Sequence, residues 1–187
     1  EPATASTWDE FTAAINNGNK EIKLTADITY SGNYSLQKNV SINLNGNAIT
    51  MPMLYLFSTA TIKNGTINGK VYARTNSDVV LDTVVFSGEV SDNLSTEGHL
   101  AIQGGCNVYA KNCVFDATTV NGSQTRSLSI EGRSSGTLKF EGCDFKFRSF
   151  GTGSAKYKKQ VYVNTLSGNA TLDFTRCKFN SKAPNIM

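Results

Sequence analysis

The sequence predicts an all-β solenoid opened by one short α-helix. Three observations carry this expectation: a repeated segment, a second family of short alternating strands set between its copies, and a capped amphipathic stretch ahead of both. The repeated segment runs apolar, any residue, turn-forming or small, Cys/Val/Gly, any residue, Phe/Ile. It occurs as TIKNGTI ending at Ile67, LDTVVF at Phe86, YAKNCVF at Phe115, KFEGCDF at Phe145 and DFTRCKF at Phe179. The intervals between these terminal apolar residues are 19, 29, 30 and 34, near the period at which solenoid coils recur.

The elements follow in order. Thr7-Trp-Asp-Glu10 has the form of a capping box, with apolar Trp8, Phe11, Ala14 and Ile15 after it and a stop at Gly18, so a helix is expected over 7–18. Its expected task is to cover the first coil, whose apolar interior and strand edges would otherwise meet water. Ile22 to Ile28 and Val40 to Ile49 read as opening coils. The short strands are Leu54-Tyr55-Leu56, Val71-Tyr72-Ala73, Leu100-Ala101-Ile102, Leu128-Ser129-Ile130 and Val161-Tyr162-Val163, one between each pair of repeats. No coil can bury its own apolar edge, but coils stacked about 4.8 Å apart build a continuous core. The expectation is one domain over 1–187, with coils over 22–179 and a tail at 180–187. That tail is too short for a second helical lid, so the last coil is expected to be covered by the tail, by further sequence or by another chain, with a homo-oligomer or larger assembly as one outcome.

Composition narrows the function classes. Of 187 residues, 39% are hydrophobic and 18% charged, both below the usual proportions for soluble domains. The net charge of +3 does not make the dense basic stripe of a nucleic-acid binder, and no apolar run reaches the length of a membrane span. The chain opens at Glu1 rather than Met, as expected of a segment from which a leader or upstream region has been removed.

The Trp8-Asp9-Glu10-Phe11 helix, the strand Ile22-Lys-Leu-Thr-Ala-Asp-Ile28, the turn Asn39-Val-Ser-Ile-Asn-Leu-Asn-Gly46 and the repeated Asn-Cys-x-Phe type ends together resemble the right-handed parallel β-helix, or pectate-lyase-like, superfamily. The resemblance spans nearly the whole chain and its motifs specify architecture. It implies a right-handed parallel β-helix solenoid, a fold shared by polysaccharide lyases and hydrolases, phage tailspikes, bacterial adhesins and structural modules. The helix and the first strand after it are similar to the starts of adhesive domains on bacterial surfaces. Function must be argued from the site.

If the flanking residues of each short strand point inward, the middle ones point outward. That predicts an exposed row of Tyr55, Tyr72, Ala101, Ser129 and Tyr162, with Phe57, Arg74, Gln103, Glu131 and Asn164 one step along. Aromatic faces beside amides and charges suit sugar rings, while the plainer reading is that Tyr favours exposed strand positions. All growth between repeats falls at about residues 87–98, 116–126 and 146–159, predicting loops that wall a shallow groove beside this row. The last carries Lys146, Arg148, Lys156, Lys158 and Lys159, the one concentrated basic patch, interleaved with Phe147, Phe150 and Tyr157. It reads either as a contact for an acidic polysaccharide or other anionic surface, or as a solvated loop guarding an edge.

For catalysis, the resemblance implies clustered carboxylates holding calcium with an Arg or Lys base, or paired carboxylates for hydrolysis. The sequence offers Glu131 with Arg133, and Glu89, Asp92 and Glu97, but no Asp-Asp pair on neighbouring strand positions. The single His99 is expected to face solvent. Cys113, Cys143 and Cys177 share a position that Val84 and Gly65 fill in earlier copies, so a buried thiol ladder is expected rather than zinc or disulfides. Of six sequons, those at Asn39 and Asn64 fall on strands or tight turns, and those at Asn93 and Asn121 fall on predicted loops. The leading expectation is a non-enzymatic extracellular, cell-surface or virion module that binds a polysaccharide or glycosylated surface, without cofactor or metal. The alternatives are a polysaccharide lyase or glycosidase, and a structural subunit assembling through its last coil.

Overall fold

A computed structural model of the chain describes residues 1–88, 98–117, 127–133, 135–148, 161–164 and 166–182. In chain order the described elements are β1 (Ala3–Ala5), α1 (Trp8–Asn16), β2 (Glu21–Leu24), β3 (Ile28–Thr29), β4 (Tyr34–Leu36), β5 (Val40–Asn43), β6 (Ala48–Leu56), β7 (Thr59–Ala73), β8 (Asp78–Ser87), β9 (Leu100–Ile102), β10 (Asn107–Lys111), β11 (Val114–Asp116), β12 (Leu128–Ile130), β13 (Thr137–Glu141), β14 (Asp144–Arg148), β15 (Val161–Val163), β16 (Thr171–Thr175) and β17 (Lys178–Lys182). Every pairing among them is parallel and joins one coil to the next. The fold is a parallel β-helix, as the repeat predicts, and it has three walls.

The first wall runs through β1, β2, β5, the start of β7, the start of β8, β10, β13 and β16. The second joins β3, β6, β7, β8, β11, β14 and β17, and the third joins β4, β6, β7, β9, β12 and β15. In five successive coils, from β7 to β17, the chain turns between the first and second walls on a single residue in the left-handed region: Asn64, Thr83, Asn112, Gly142 and Arg176, with φ between 51° and 63°. This is the turn-forming position of the repeat. Asn and Gly tolerate that region well, whereas a β-branched residue is strained in it.

With the corner fixed, like residues fall in file. The motif ends align as Ile28, Ile49, Ile67, Phe86, Phe115, Phe145 and Phe179. The Phe rings lie face to face, with centroids 4.9, 4.9 and 5.1 Å apart and planes within 8°, so the coil spacing sets the stacking distance. Cys113, Cys143 and Cys177 follow Gly65 and Val84 in one column as free thiols. The first two are buried. Their Sγ atoms lie 3.5, 3.5 and 3.3 Å from the carbonyls of Leu81, Ala110 and Phe140 in the preceding coil. The neighbouring Cys143 and burial together push the Cys113 thiol up. The column opens on Gly65 because a Cβ there would meet Leu44 and the Asn47 carbonyl.

Helix α1 closes the first coil, burying Phe11, Ala14 and Ile15, while Trp8 stacks on Tyr30 at 4.3 Å and meets Tyr34 edge-on. Thr7 caps it, its Oγ1 accepting from Glu10 N at 3.2 Å. The box is shifted by one residue, because the Glu10 carboxylate accepts from Ser6 N and Oγ rather than from Thr7. These bonds hold Glu10 below the usual carboxylate range. At the other end β17 continues to Lys182 in register with β14, pairing Lys146 with Asn180 and Arg148 with Lys182. The expected tail at 180–187 therefore begins as strand, and Lys146 and Arg148 stand on β14 rather than on a loop. Phe179 and Leu166 remain 48% and 41% exposed.

Two substitutions test the corner. Thr83→Asn relieves a β-branched residue at φ 57° and is expected to raise stability by about 0.5–1 kcal/mol. Gly65→Ala is expected to lower it by about 1–3 kcal/mol. Urea or thermal denaturation followed by circular dichroism checks both.

Candidate functional site

The predicted row lies on the outer side of the third wall, in register: Tyr55, Tyr72, Ala101, Ser129 and Tyr162 occupy successive coils, and β4 adds Ser35 beneath them. Its expected exposure is corrected for the middle of the row. Tyr72 is 5% exposed, Ala101 1% and Ser129 3%, and Met53, Tyr72 and Ala101 form an apolar cluster of their own with Tyr55 against it. Alternation places these side chains outside the wall, but the outside of this wall is covered there. Tyr55 and Tyr162 are half-buried and Asn164 is exposed.

The structure does bring together the front of the predicted site. The Arg74 guanidinium carbon stands 4.8 Å from the Tyr72 ring centroid, 5.4 Å from Phe57 and 5.8 Å from Tyr55. The Tyr72 hydroxyl donates to the Glu131 carboxylate, and burial followed by that bond pushes the phenol up. Gln103 lies on the coil after Arg74, and its Oε1 accepts from Thr75 N at 3.0 Å. Arg74 Nε is buried without a hydrogen-bond partner, and no ion pair engages Arg74 among the described residues. The result is a braced cation on a ledge of three rings, with Glu131 held to one side.

Lys146 is half-buried on the second wall, away from this ledge, and its carbonyl accepts from Ser127 Oγ at 3.2 Å. The backbone of Arg148 pairs with Lys182. Lys156, Lys158 and Lys159 lie outside the described residues, as do Glu89, Asp92 and Glu97. Arg133 does not join Glu131. It is buried at the corner into the first wall, donating to the Cys106 and Ser135 carbonyls, in space left by Gly136, where a Cβ would collide with the guanidinium. Among the described residues no three His, Cys, Asp or Glu side chains are grouped to hold a metal ion.

Sequence reasoning missed a buried polar column beside the row. Lys70, His99 and Ser127 are each 0% exposed, so the expectation of a solvent-facing His99 is corrected. They stand one residue before the apolar pattern of the short strands, toward the second wall. Lys70 is outside that pattern because it pairs with Met53 across a register shift in β6. His99 Nε2 lies 3.0 Å from the Gly88 carbonyl, and Nδ1 is buried without a partner. The ring is therefore the neutral Nε2–H tautomer. Burial lowers the His99 pKa, Lys70 adds to the lowering and Asp116 opposes it.

Residues 2–182 match the sequence pattern of the pectate lyase-like adhesive domains. The chain belongs to that family. This adhesive domain also aligns with a solved structure titled "L. reuters 100-23 SRRP" over 96% of its own chain and 98% of the other, at 11% identity and a TM-score of 0.37. No curated protein matches the adhesive domain. By family it is an adhesin-like module built on a β-helix.

The buried His99 is expected to make the adhesive domain acid-sensitive. Its folded pKa lies below the ordinary 6.5, so the unfolded chain takes up a proton that the folded chain refuses. Stability is expected to fall as pH drops below about 6.5. Equilibrium denaturation between pH 5 and 8, compared with His99→Gln, is expected to show a shallower decline in the variant.

Proposed function

We propose that this adhesive domain is displayed at a cell surface and holds an acidic glycan through the Arg74 ledge. One observation carries the reading: a guanidinium braced by three aromatic rings with no carboxylate paired to it among the described residues. A planar guanidinium presents a fork of donors that matches a carboxylate bidentately, and the adjoining Tyr55 and Phe57 faces suit the CH side of the sugar that carries it. Phe57 is 40% exposed, so the ledge is reachable. Gln103, Tyr162 and Asn164 extend the same face along the coils. Lys146 and Arg148, with Lys156, Lys158 and Lys159, would add long-range attraction for a polyanion.

Binding to polygalacturonate, alginate, hyaluronan and sialylated glycans, measured on an array and by titration, tests this. The expected result is binding to at least one acidic glycan that weakens with salt and falls about 10-fold or more in Arg74→Ala. Arg74→Lys is expected to recover little, since an ammonium lacks the fork. Absence of binding to every acidic glycan overturns the reading. Tyr72 is structural in this scheme, so Tyr72→Phe is expected to change stability more than affinity.

A second property is supported by the exposed Phe179 and Leu166 on the last described coil. We propose that another copy or an adjoining segment stacks there. Concentration-dependent self-association by light scattering, lost in Phe179→Glu, tests the first case. A monomer at all concentrations overturns stacking of a second copy.

A further inference from the structure

The outer side of the first wall carries a depression that the Arg74 ledge does not touch. Its volume is about 460 Å³, and it is lined chiefly by Thr61, Asp78, Val80, Asn107, Tyr109 and Lys139. Along the middle row of this wall the outward residues are Ser41, Thr61, Val80, Tyr109, Lys139 and Asp173. Val80 and Tyr109 interrupt a polar row, and Val80 is left 37% exposed. Nothing in the packing of the coils needs an apolar floor there, because the core lies on the opposite side.

The rims of this floor are fixed. Tyr109 donates its hydroxyl to Glu141 Oε2 at 2.8 Å. Lys139 Nζ lies 5.5 Å from the same ring and 3.6 Å from that carboxylate, and Arg176 holds the other Glu141 oxygen. The ring is thus anchored before any ligand arrives. On the opposite rim Asn107 Nδ2 donates to Asp78 Oδ1 at 2.7 Å and Asn107 Oδ1 accepts from Thr137 N at 2.8 Å, so the amide cannot flip and Asp78 presents its carboxylate along the edge.

We propose that this depression is a second carbohydrate subsite, taking one neutral hexose ring of a glycan with its CH face on Tyr109 and Val80 and its hydroxyls on Asp78 and Lys139. Three features select that occupant. The volume is that of a small-ligand site. The strands beneath are paired on both sides within the wall, so no backbone edge is offered to a peptide strand. The lining carries both signs of charge, Asp78 against Lys139, which favours an uncharged, hydroxyl-rich ring over a uronate. The inference does not rest on the Arg74 reading, which concerns another wall and a charged sugar.

Titration of the isotopically labelled chain with cellobiose, mannobiose and lactose, followed by NMR, tests it. At least one disaccharide is expected to shift the resonances of Thr61, Val80 and Tyr109, with affinity reduced about 10-fold in Tyr109→Ala. Val80→Arg, at an exposed position, is expected to fill the floor and abolish binding while the far-ultraviolet spectrum stays unchanged. Arg74→Ala is expected to leave these shifts intact, which separates this site from the acidic one. Absence of shifts with all three disaccharides, shifts that persist in Val80→Arg, or a response at these residues to galacturonate alone overturns the proposal.

Discussion

The corner between the first and second walls is the constraint on which the rest depends. From β7 onward one residue with positive φ leaves no slack, so each of these coils must enter the second wall in the same phase as the coil below. That shared phase puts Phe86 over Phe115 over Phe145, and Cys113 over Cys143 over Cys177. Hydrogen bonds set the coil spacing, and the flat rings then stack near 5 Å without further adjustment. The two earlier coils turn over longer corners, Thr25–Asp27 and Leu44–Asn47, and still bring Ile28 and Ile49 into file with Ile67.

Much of the architecture was therefore legible in the sequence, because a rigid corner leaves a periodic trace. The five motif ends, the five short strands, the helix with its Thr7 cap and the cysteine column are all found where the pattern places them. The fourth strand, Tyr34–Leu36, was missed because Tyr and Ser lead it and only Leu36 shows the apolar signature. Lys146 and Arg148 were assigned to a loop because charged residues in a strand look the same in sequence as charged residues in a turn. Only their partners in β17 distinguish the two.

The site was less legible, for a different reason. Alternation states on which side of a wall a residue stands, but it is silent about what lies over that side. Tyr72, Ala101 and Ser129 are outside the core as expected and are nevertheless closed off from water. His99 was misjudged in the same way, and Lys70 more so, since a lysine with no exposed surface has no signature in a single sequence. By contrast, the meeting of Tyr55, Tyr72 and Arg74 could be foreseen, since they stand on one wall in the same or adjoining coils, whereas Glu131 reaches Tyr72 across the coil between them. The depression over Val80 and Tyr109 left only a faint mark, two apolar outward residues in an otherwise polar row.

The direction of the inter-strand bonds carries a mechanical consequence for an attachment module. In this stack the backbone bonds run along the long axis, so a pull between the two ends loads them in tension, a coil at a time, rather than sharing the load across many. Each coil that comes away frees between 19 and 34 residues in the repeated part of the chain, about 65–120 Å of extended backbone. Such a rod yields length under strain while the coils still stacked keep their shape, and a contact held on the intact portion outlasts the loss of its neighbours.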